Sequence, residues 1–242
     1  MALWRFGGGW SERAMRQYLD ALEGRTVNFD APLEEMTTAN GWTIDGSHDE
    51  IGTEPEGPPV PDGVFARAKQ AIINYDFSDP SIVTGHFDPA TPVVGRNMLL
   101  EIKVLGFRFL NGVRVHSVRD EYEHDTTYFG FRYDTLEGHI EQGFEWFLLT
   151  KDHATGGIHF KIEAHWRLGD FPNLWSKVGF KLIGEHYRTL WRHRAPERLR
   201  RIAHQPVAVP AAPAGELVHR GGESPERTQP GATPDVSAPT GP

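Results

Sequence analysis

From Val113 to Trp166 the chain alternates in a two-residue period through four runs, each rich in aromatic or β-branched residues. Tyr128–Asp134 sets Phe129, Phe131 and Tyr133 on one face and Tyr128, Gly130 and Arg132 on the other. In the last run Ile158, Phe160, Ile162, Ala164 and Trp166 alternate with His159, Lys161, Glu163, His165 and Arg167. One face of that strand therefore meets a core or cavity, the other solvent. Phe144–Thr150 is apolar on both faces, which predicts a central strand covered on both sides. A helical segment follows at once, with Pro172 in the permitted first turn and a stripe of Phe171, Leu174, Trp175, Val178, Leu182, Ile183, His186 and Leu190. Pro196 should end or kink it. Strands in series followed by a long helix give an α+β class, a curved antiparallel sheet packed on a long C-terminal helix. Such an arrangement usually encloses an apolar cavity.

The flanks add smaller elements. Ser11 caps a helix over Ala14, Met15, Tyr18, Ala21 and Leu22 that ends at Gly24; an irregular Val27–Thr38 and a short strand around Trp42–Ile44 follow. Gly52–Gly63, with four prolines, reads as a loop, and Asp62 as the cap of a second helix carrying Val64, Phe65, Ala68, Ile72 and Tyr75. Ile82–His86, Met98–Val104 and Val113–Arg119 are expected strands. Phe107–Leu110 is ambiguous, Asn111-Gly112 is the strongest hairpin signal, and Glu121–Asp125 reads as a polar turn. The layout expected is an extension with one helix over 1–60, the α+β domain over 61–203, and a disordered tail over 204–242, where eight of the 18 prolines fall.

Composition removes whole classes of chemistry. Without cysteine there is no disulfide, thiolate nucleophile or cysteine-ligated metal, and a reducing cytoplasm is the expected setting. No signal peptide or bilayer-spanning run is read, and no cofactor is implied. The net charge of −8 is uneven: residues 173–203 carry eight Lys/Arg against two acids, while 1–172 are strongly acidic. An acidic body argues against nucleic acid as partner. Arg192–Arg201 remains a candidate for peripheral contact with anionic lipid, against the alternative of a solvated helix face.

At Phe129-Gly-Phe-Arg-Tyr-Asp-Thr-Leu-Glu-Gly-His the chain resembles a bacterial family with plant members, a domain of unknown function (DUF1990). The matching positions are Phe129, Gly130, Phe131, Tyr133, Thr135, Leu136, Gly138, His139, Glu141, Gly143, Glu145 and Phe147, within a similarity over roughly Asp62 to Arg201. Asp134 stands where the family has Gly, Ile140 where it has Pro, and Phe144 where it has the first of two adjacent Glu residues. The last departure weakens any two-carboxylate scheme. The family's element order is similar to the helix-grip superfamily of START and Bet v 1-like proteins, which bind lipids, polyketides and steroids, some of them as cyclases or hydratases. That resemblance implies a fold and a cavity but transfers no reaction.

Two residues carry the sharpest chemistry. His139, beside Glu137 and Glu141, could work in acid–base catalysis or meet a ligand's polar head; the alternative is a plain hairpin loop. Glu145, inside an apolar strand, would have a raised pKa if unpaired; the alternative is a salt bridge to Arg132 or Arg114. Isolated histidines such as His48, His124, His153, His159 and His165 lack metal-ligand spacing, so no metal site is expected. The leading reading is a module holding an apolar or amphipathic small molecule (lipid, polyketide or isoprenoid-like) against Phe129, Phe131, Tyr133, Phe144, Trp146, Phe160, Ile162, Trp175, Leu182 and His186. It calls for a cavity above roughly 300 Å³. A cyclase- or hydratase-like enzyme using His139 and Glu145, and a protein-interaction module, are the alternatives.

Overall fold

The computed structural model describes residues 3–169 and 174–205, the side chains of 174–183 excepted. Met1–Pro206 forms one compact unit. Apart from His204 and Gln205, the Pro-rich tail expected to be disordered lies outside the described residues.

Eight strands form a single sheet in the order β2-β8-β7-β6-β5-β4-β3, with β1 paired to the start of β5. These are β1 (Leu3–Phe6), β2 (Thr43–Thr53), β3 (Val83–His86), β4 (Asn97–Val104), β5 (Phe107–Glu123), β6 (Thr126–Thr135), β7 (Glu141–Asp152) and β8 (Gly157–Leu168). Every pairing is antiparallel. Three helices accompany the sheet: α1 (Glu12–Asp20), α2 (Val64–Ile73) and α3 (Leu174–His204). The expected class, a curved antiparallel sheet packed on a long C-terminal helix, is the one found. Bulges at Val115/Ser117 in β5 and Glu50/Gly52 in β2 help the sheet to bend. At Gly130 a Cβ would lie 2.2 Å from the Phe147 carbonyl oxygen, so neighbouring strands approach there in a way no other residue allows.

The inner face packs on α2 and α3 through Phe129, Phe131, Phe147, Leu149, Phe160 and Ile162. In α3 the described apolar contacts are Tyr187, Leu190, Trp191, Ala195, Leu199, Ile202 and Ala203, at spacings of three and four that make one stripe on one face. The helix runs through Pro196 to His204 rather than ending there. Contacts on both sides of the proline hold it: Arg194 pairs with Asp79, Arg198 donates to the Asp76 carbonyl, and the Ala203 carbonyl accepts from Arg67.

Several local expectations change. Asn111-Gly112 lies inside β5, and the hairpin turn is Leu105-Gly106, both at positive φ. Gly112 serves packing instead, since a Cβ there would meet Leu22 at 2.5 Å. The polar turn shrinks to His124-Asp125, again both at positive φ, because pairing extends to Glu123 and Thr126. The short strand at Trp42–Ile44 extends to Thr53 and pairs with β8, so the first 60 residues supply two strands of the sheet. Gly63, not Asp62, is the N-cap of α2, and the Glu54 carboxylate accepts from Phe65 N–H at 2.8 Å to satisfy that helix start. The outer face of β8 is only partly solvated: His165 is buried, its ring stacked on Phe144 in the cluster of Met36 and Trp42.

Candidate functional site

Register places one polar row across four strands. Tyr133 on β6 is the direct partner of Glu145 on β7, Glu145 of Ala164 on β8, and Ala164 of Asp45 on β2. The neighbouring row, Phe131–Phe147–Ile162–Ser47, starts in the apolar core. Ala164 and Gly143 are too small to fill the space above Glu145, and a cavity of about 110 Å³ lies there. Its apolar wall includes Ile82, Leu100, Ile102, Trp166, Tyr187 and Trp191; its polar end is formed by Tyr75, Tyr133, His139, Glu141, Glu145 and Arg188.

The structure sorts the expected site residues sharply. His139, Glu145 and Tyr133 border the cavity. Phe129, Phe131, Phe160 and Ile162 are sealed in the core rows and do not line it. Trp146 points to the outer face and packs against the Met36–Trp42–Phe144 cluster, because adjacent residues of a strand face opposite ways. Phe144 borders the cavity, but its ring belongs to that outer cluster and lies under the Arg132 guanidinium. His186 is exposed, since the buried stripe of α3 passes through Tyr187 and Trp191 instead. The side chains of Trp175 and Leu182 lie outside the described residues. The cavity itself falls short of the expected 300 Å³; it is closer to the roughly 150 Å³ known to admit a benzene ring than to a drug-sized site.

Neither expected arginine neutralises Glu145. Arg132 donates to Asp134, and Arg114 donates to Asn97 and to the Leu22 carbonyl. Glu145 instead accepts from the Tyr133 hydroxyl, with Arg188 nearby. Burial pushes its pKa up to about 7; Arg188 and the Tyr133 hydrogen bond restrain the rise, and Asp45 and Glu141 add to it. Burial, with Glu145 alongside, also raises both Tyr133 and Tyr75 well above the ordinary phenol, so they stay neutral donors. Arg188 forms its ion pair with Glu141 and stacks on the Trp166 ring at 4.1 Å. Burial opposes charge at Glu141, but Arg188 holds its pKa below the ordinary value.

His139 is tuned the other way. Burial lowers its pKa to about 4, with Glu141 pulling upward and Arg188 downward. Its Nδ1 accepts from the Glu141 backbone N–H at 2.9 Å. The neutral ring then carries its proton on Nε2, which makes His139 a hydrogen-bond donor and not a base at neutral pH. Gly138, at φ 87°, supplies the turn that brings the ring back over the sheet.

Sequence reasoning missed Arg188, Trp166, Asp45 and Tyr75 as site residues. Tyr75 does carry a signal of function: a buried tyrosine held at φ 60°, just past the end of α2, where glycine is usual. Gly85 leaves it room, since a Cβ there would sit 2.7 Å from the Tyr75 ring. Among the described residues no group of three His, Asp or Glu is placed to hold a metal ion, and no helix is long and apolar enough to cross a membrane. Arg192 and Arg194 pair with the Asp45 and Asp79 carboxylates, and Arg198 and Arg200 donate to the Asp76 and Glu50 backbone carbonyls.

The model of a domain of unknown function (DUF1990) matches residues 30–205. The chain belongs to that family. Six positions that carry the family resemblance, Tyr133, Thr135, His139, Glu141, Gly143 and Glu145, border the cavity. The departure at Phe144 also finds its place, because adjacent residues of a strand face opposite ways and the side chain at 144 belongs to the outer cluster rather than beside Glu145. No curated protein matches the chain. Among solved structures it is similar to a hypothetical protein from Helicobacter pylori (TM-score 0.44, 11% identity, 74% of this chain and 98% of that one). It is similar to Ara h 8.0201 (TM-score 0.40, 12% identity, 67% and 98%). A third is norcoclaurine synthase from Thalictrum flavum in complex with dopamine and hydroxybenzaldehyde (TM-score 0.38, 8% identity, 75% and 98%). Likenesses this loose transfer no site.

Proposed function

We propose that this protein is a cytoplasmic binding module for one small amphipathic molecule, about the size of a single ring or short chain. The carrying observation is the cavity itself, an apolar wall of Leu100, Ile102, Trp166 and Trp191 that ends on convergent polar groups from β6, β7 and α3. Pockets that orient a ligand combine these two surfaces. At about 110 Å³ the space suits a ring or a short chain, not a whole steroid or a long lipid.

The test is direct. Protein purified from its own host and sprayed intact under native conditions should retain a small molecule. Benzyl alcohol added to emptied protein should change the fluorescence of Trp166 and Trp191, and Ala164→Phe, which fills the cavity, should abolish that change while the fold persists by circular dichroism. If benzyl alcohol leaves the native protein unaffected and no molecule is retained, the reading is wrong.

A second reading, proton transfer, is favoured by one specific feature. Glu145, near pKa 7, borders the same cavity as the His139 donor, so a proton could leave or reach Glu145 while His139 steadies a ligand oxygen. Turnover of the retained molecule, lost in Glu145→Gln, would establish it. Unchanged ligand after prolonged incubation would remove it.

A further inference from the structure

The charges enclosed around the cavity do not balance. Glu141, Glu145 and Asp45 contribute three carboxylates. The cations that answer them among the described residues are Arg188, paired with Glu141, and Arg192, 3.0 Å from Asp45. When Glu145 ionises, the cluster is one positive charge short among the described residues. The direct hydrogen-bond partner of Glu145 is the neutral Tyr133 hydroxyl, and the cation that favours its charge, Arg188, is shared with Glu141. Arg188 is not free to serve an anionic ligand, because one side holds Glu141 and its plane covers Trp166. Aromatic rings share the lining with aliphatic side chains: Trp166 on β8, Tyr187 and Trp191 on α3, and Tyr75 after α2, beside Ile82, Leu100 and Ile102. A carboxylate with aromatic faces around it is the chemistry that recognises an organic ammonium group.

We propose that the ligand is a small organic cation, a ring- or short-chain-bearing amine, whose ammonium group pairs with Glu145 while its apolar part lies against Trp166 and Trp191. This rests on the binding reading above and narrows its ligand class. His139 contributes no charge, since its ring is neutral and its Nδ1 is committed to the Glu141 N–H. Tyr133 and Tyr75 remain neutral too. The pH response therefore belongs to Glu145, with Arg188, Glu141 and Asp45 as fixed charges around it. A neutral Glu145 offers an amine only an ordinary hydrogen bond; an ionised one, itself buried, offers an ion pair.

Calorimetric titration of the full chain with benzylamine, benzyl alcohol and benzoate, from pH 5.5 to pH 8.5, separates the possibilities. At pH 8.5 benzylamine should bind about tenfold or more tightly than benzyl alcohol, and benzoate weakest of the three. The preference for benzylamine should shrink toward parity at pH 5.5. Glu145→Gln should remove the preference and its pH dependence, with an unchanged circular dichroism spectrum showing that the variant is folded. Benzyl alcohol or benzoate matching benzylamine in the native protein at pH 8.5 would overturn the cation assignment and leave the cavity reading standing. A preference that survives in Glu145→Gln would overturn it as well. Failure of all three probes would instead take down the binding reading on which the assignment depends.

Discussion

Glu145 and His139 should tilt the stability of this protein in opposite directions over nearly the same pH range. Glu145 has a folded pKa of about 7 against 4.5 for an ordinary glutamate. The folded state therefore holds a proton that the unfolded chain has already released, and stability falls as pH rises through that window. The gap of about 2.5 pH units corresponds to about 3 kcal/mol, fully lost above pH 7. For His139 the folded pKa is about 4 against 6.5, so the unfolded chain binds the proton first and stability rises with pH across that window. The gap is similar in size, and with the ring part-exposed about 2 kcal/mol is a fair figure. The native protein should thus show a weak net slope from these two groups between pH 4.5 and 6.5.

Single substitutions expose what the pair conceals. Glu145→Gln keeps an acceptor for the Tyr133 hydroxyl and removes the acid. Relative to this variant, the native protein should lose about 3 kcal/mol between pH 4.5 and 7.5. His139→Asn keeps an acceptor for the Glu141 N–H and removes the base, so the native protein should gain about 2 kcal/mol on this variant between pH 4 and 6.5. Urea unfolding at half-unit pH steps, followed by tryptophan emission and by circular dichroism, gives both difference curves. Two flat difference curves would refute the assignment of these shifts to burial. Curves of the same sign would refute the opposition.

Other sites yield sharper single outcomes. Lys151→Met should cost about 3–5 kcal/mol in urea unfolding, since it leaves the Glu54 carboxylate buried without its cation; adding Glu54→Gln should recover part of that loss. Leu105→Asn should stabilise by about 1 kcal/mol, because Leu105 is exposed at φ 48° in a two-residue hairpin turn that favours Asn-Gly. Gly143→Ala should leave little soluble protein at 37 °C, since φ is 145° and a Cβ would lie 2.0 Å from the His165 carbonyl oxygen.

The sheet was legible because β6 and β8 each carry an unbroken period of two over seven residues or more, and β7 between them is apolar on both faces over Phe144–Thr150. Once Phe129, Ile158 and Phe160 are set inward, so are Tyr133 and Glu145. The turns were less legible, because burial outranked local preference. Asn111-Gly112 has ideal hairpin chemistry, yet Gly112 is needed under Leu22, and Leu105 accepts a left-handed turn instead. At the site, His139 and Glu145 stand close in sequence and could be paired by reading alone. Arg188 reaches Glu141 across 47 residues, and Asp45 arrives from β2, which only the register brings beside Ala164. A periodic pattern fixes which way a side chain faces, but not which element covers it. The same blindness put Trp146 in the cavity and gave no sign that the Phe144 ring belongs to the outer cluster: a strand apolar on both faces does not show which face lies under the helix.

Two buried carboxylates in this fold show why Glu145 reads as functional and Glu54 does not. Glu54 accepts from Val60 N–H and Phe65 N–H and pairs with Lys151, whose other donors go to the Pro55 and Pro58 carbonyls. Every strong interaction there is answered from within the chain, and the result pins the loop before α2 to β7. Glu145 has a phenol for its closest partner and shares its nearest guanidinium with Glu141. A site selected only for stability would do better with an apolar residue at this position, since replacing incompletely paired buried charge by packing is commonly neutral or favourable. Retaining the acid beside an unfilled space bounded by Ala164 and Gly143 makes sense if something that enters the cavity completes the set. The same incompleteness that raises the Glu145 pKa is what a bound ammonium group would relieve, so ligand binding should lower that pKa and release a proton near pH 7, which titration in buffers of different ionisation enthalpy would detect.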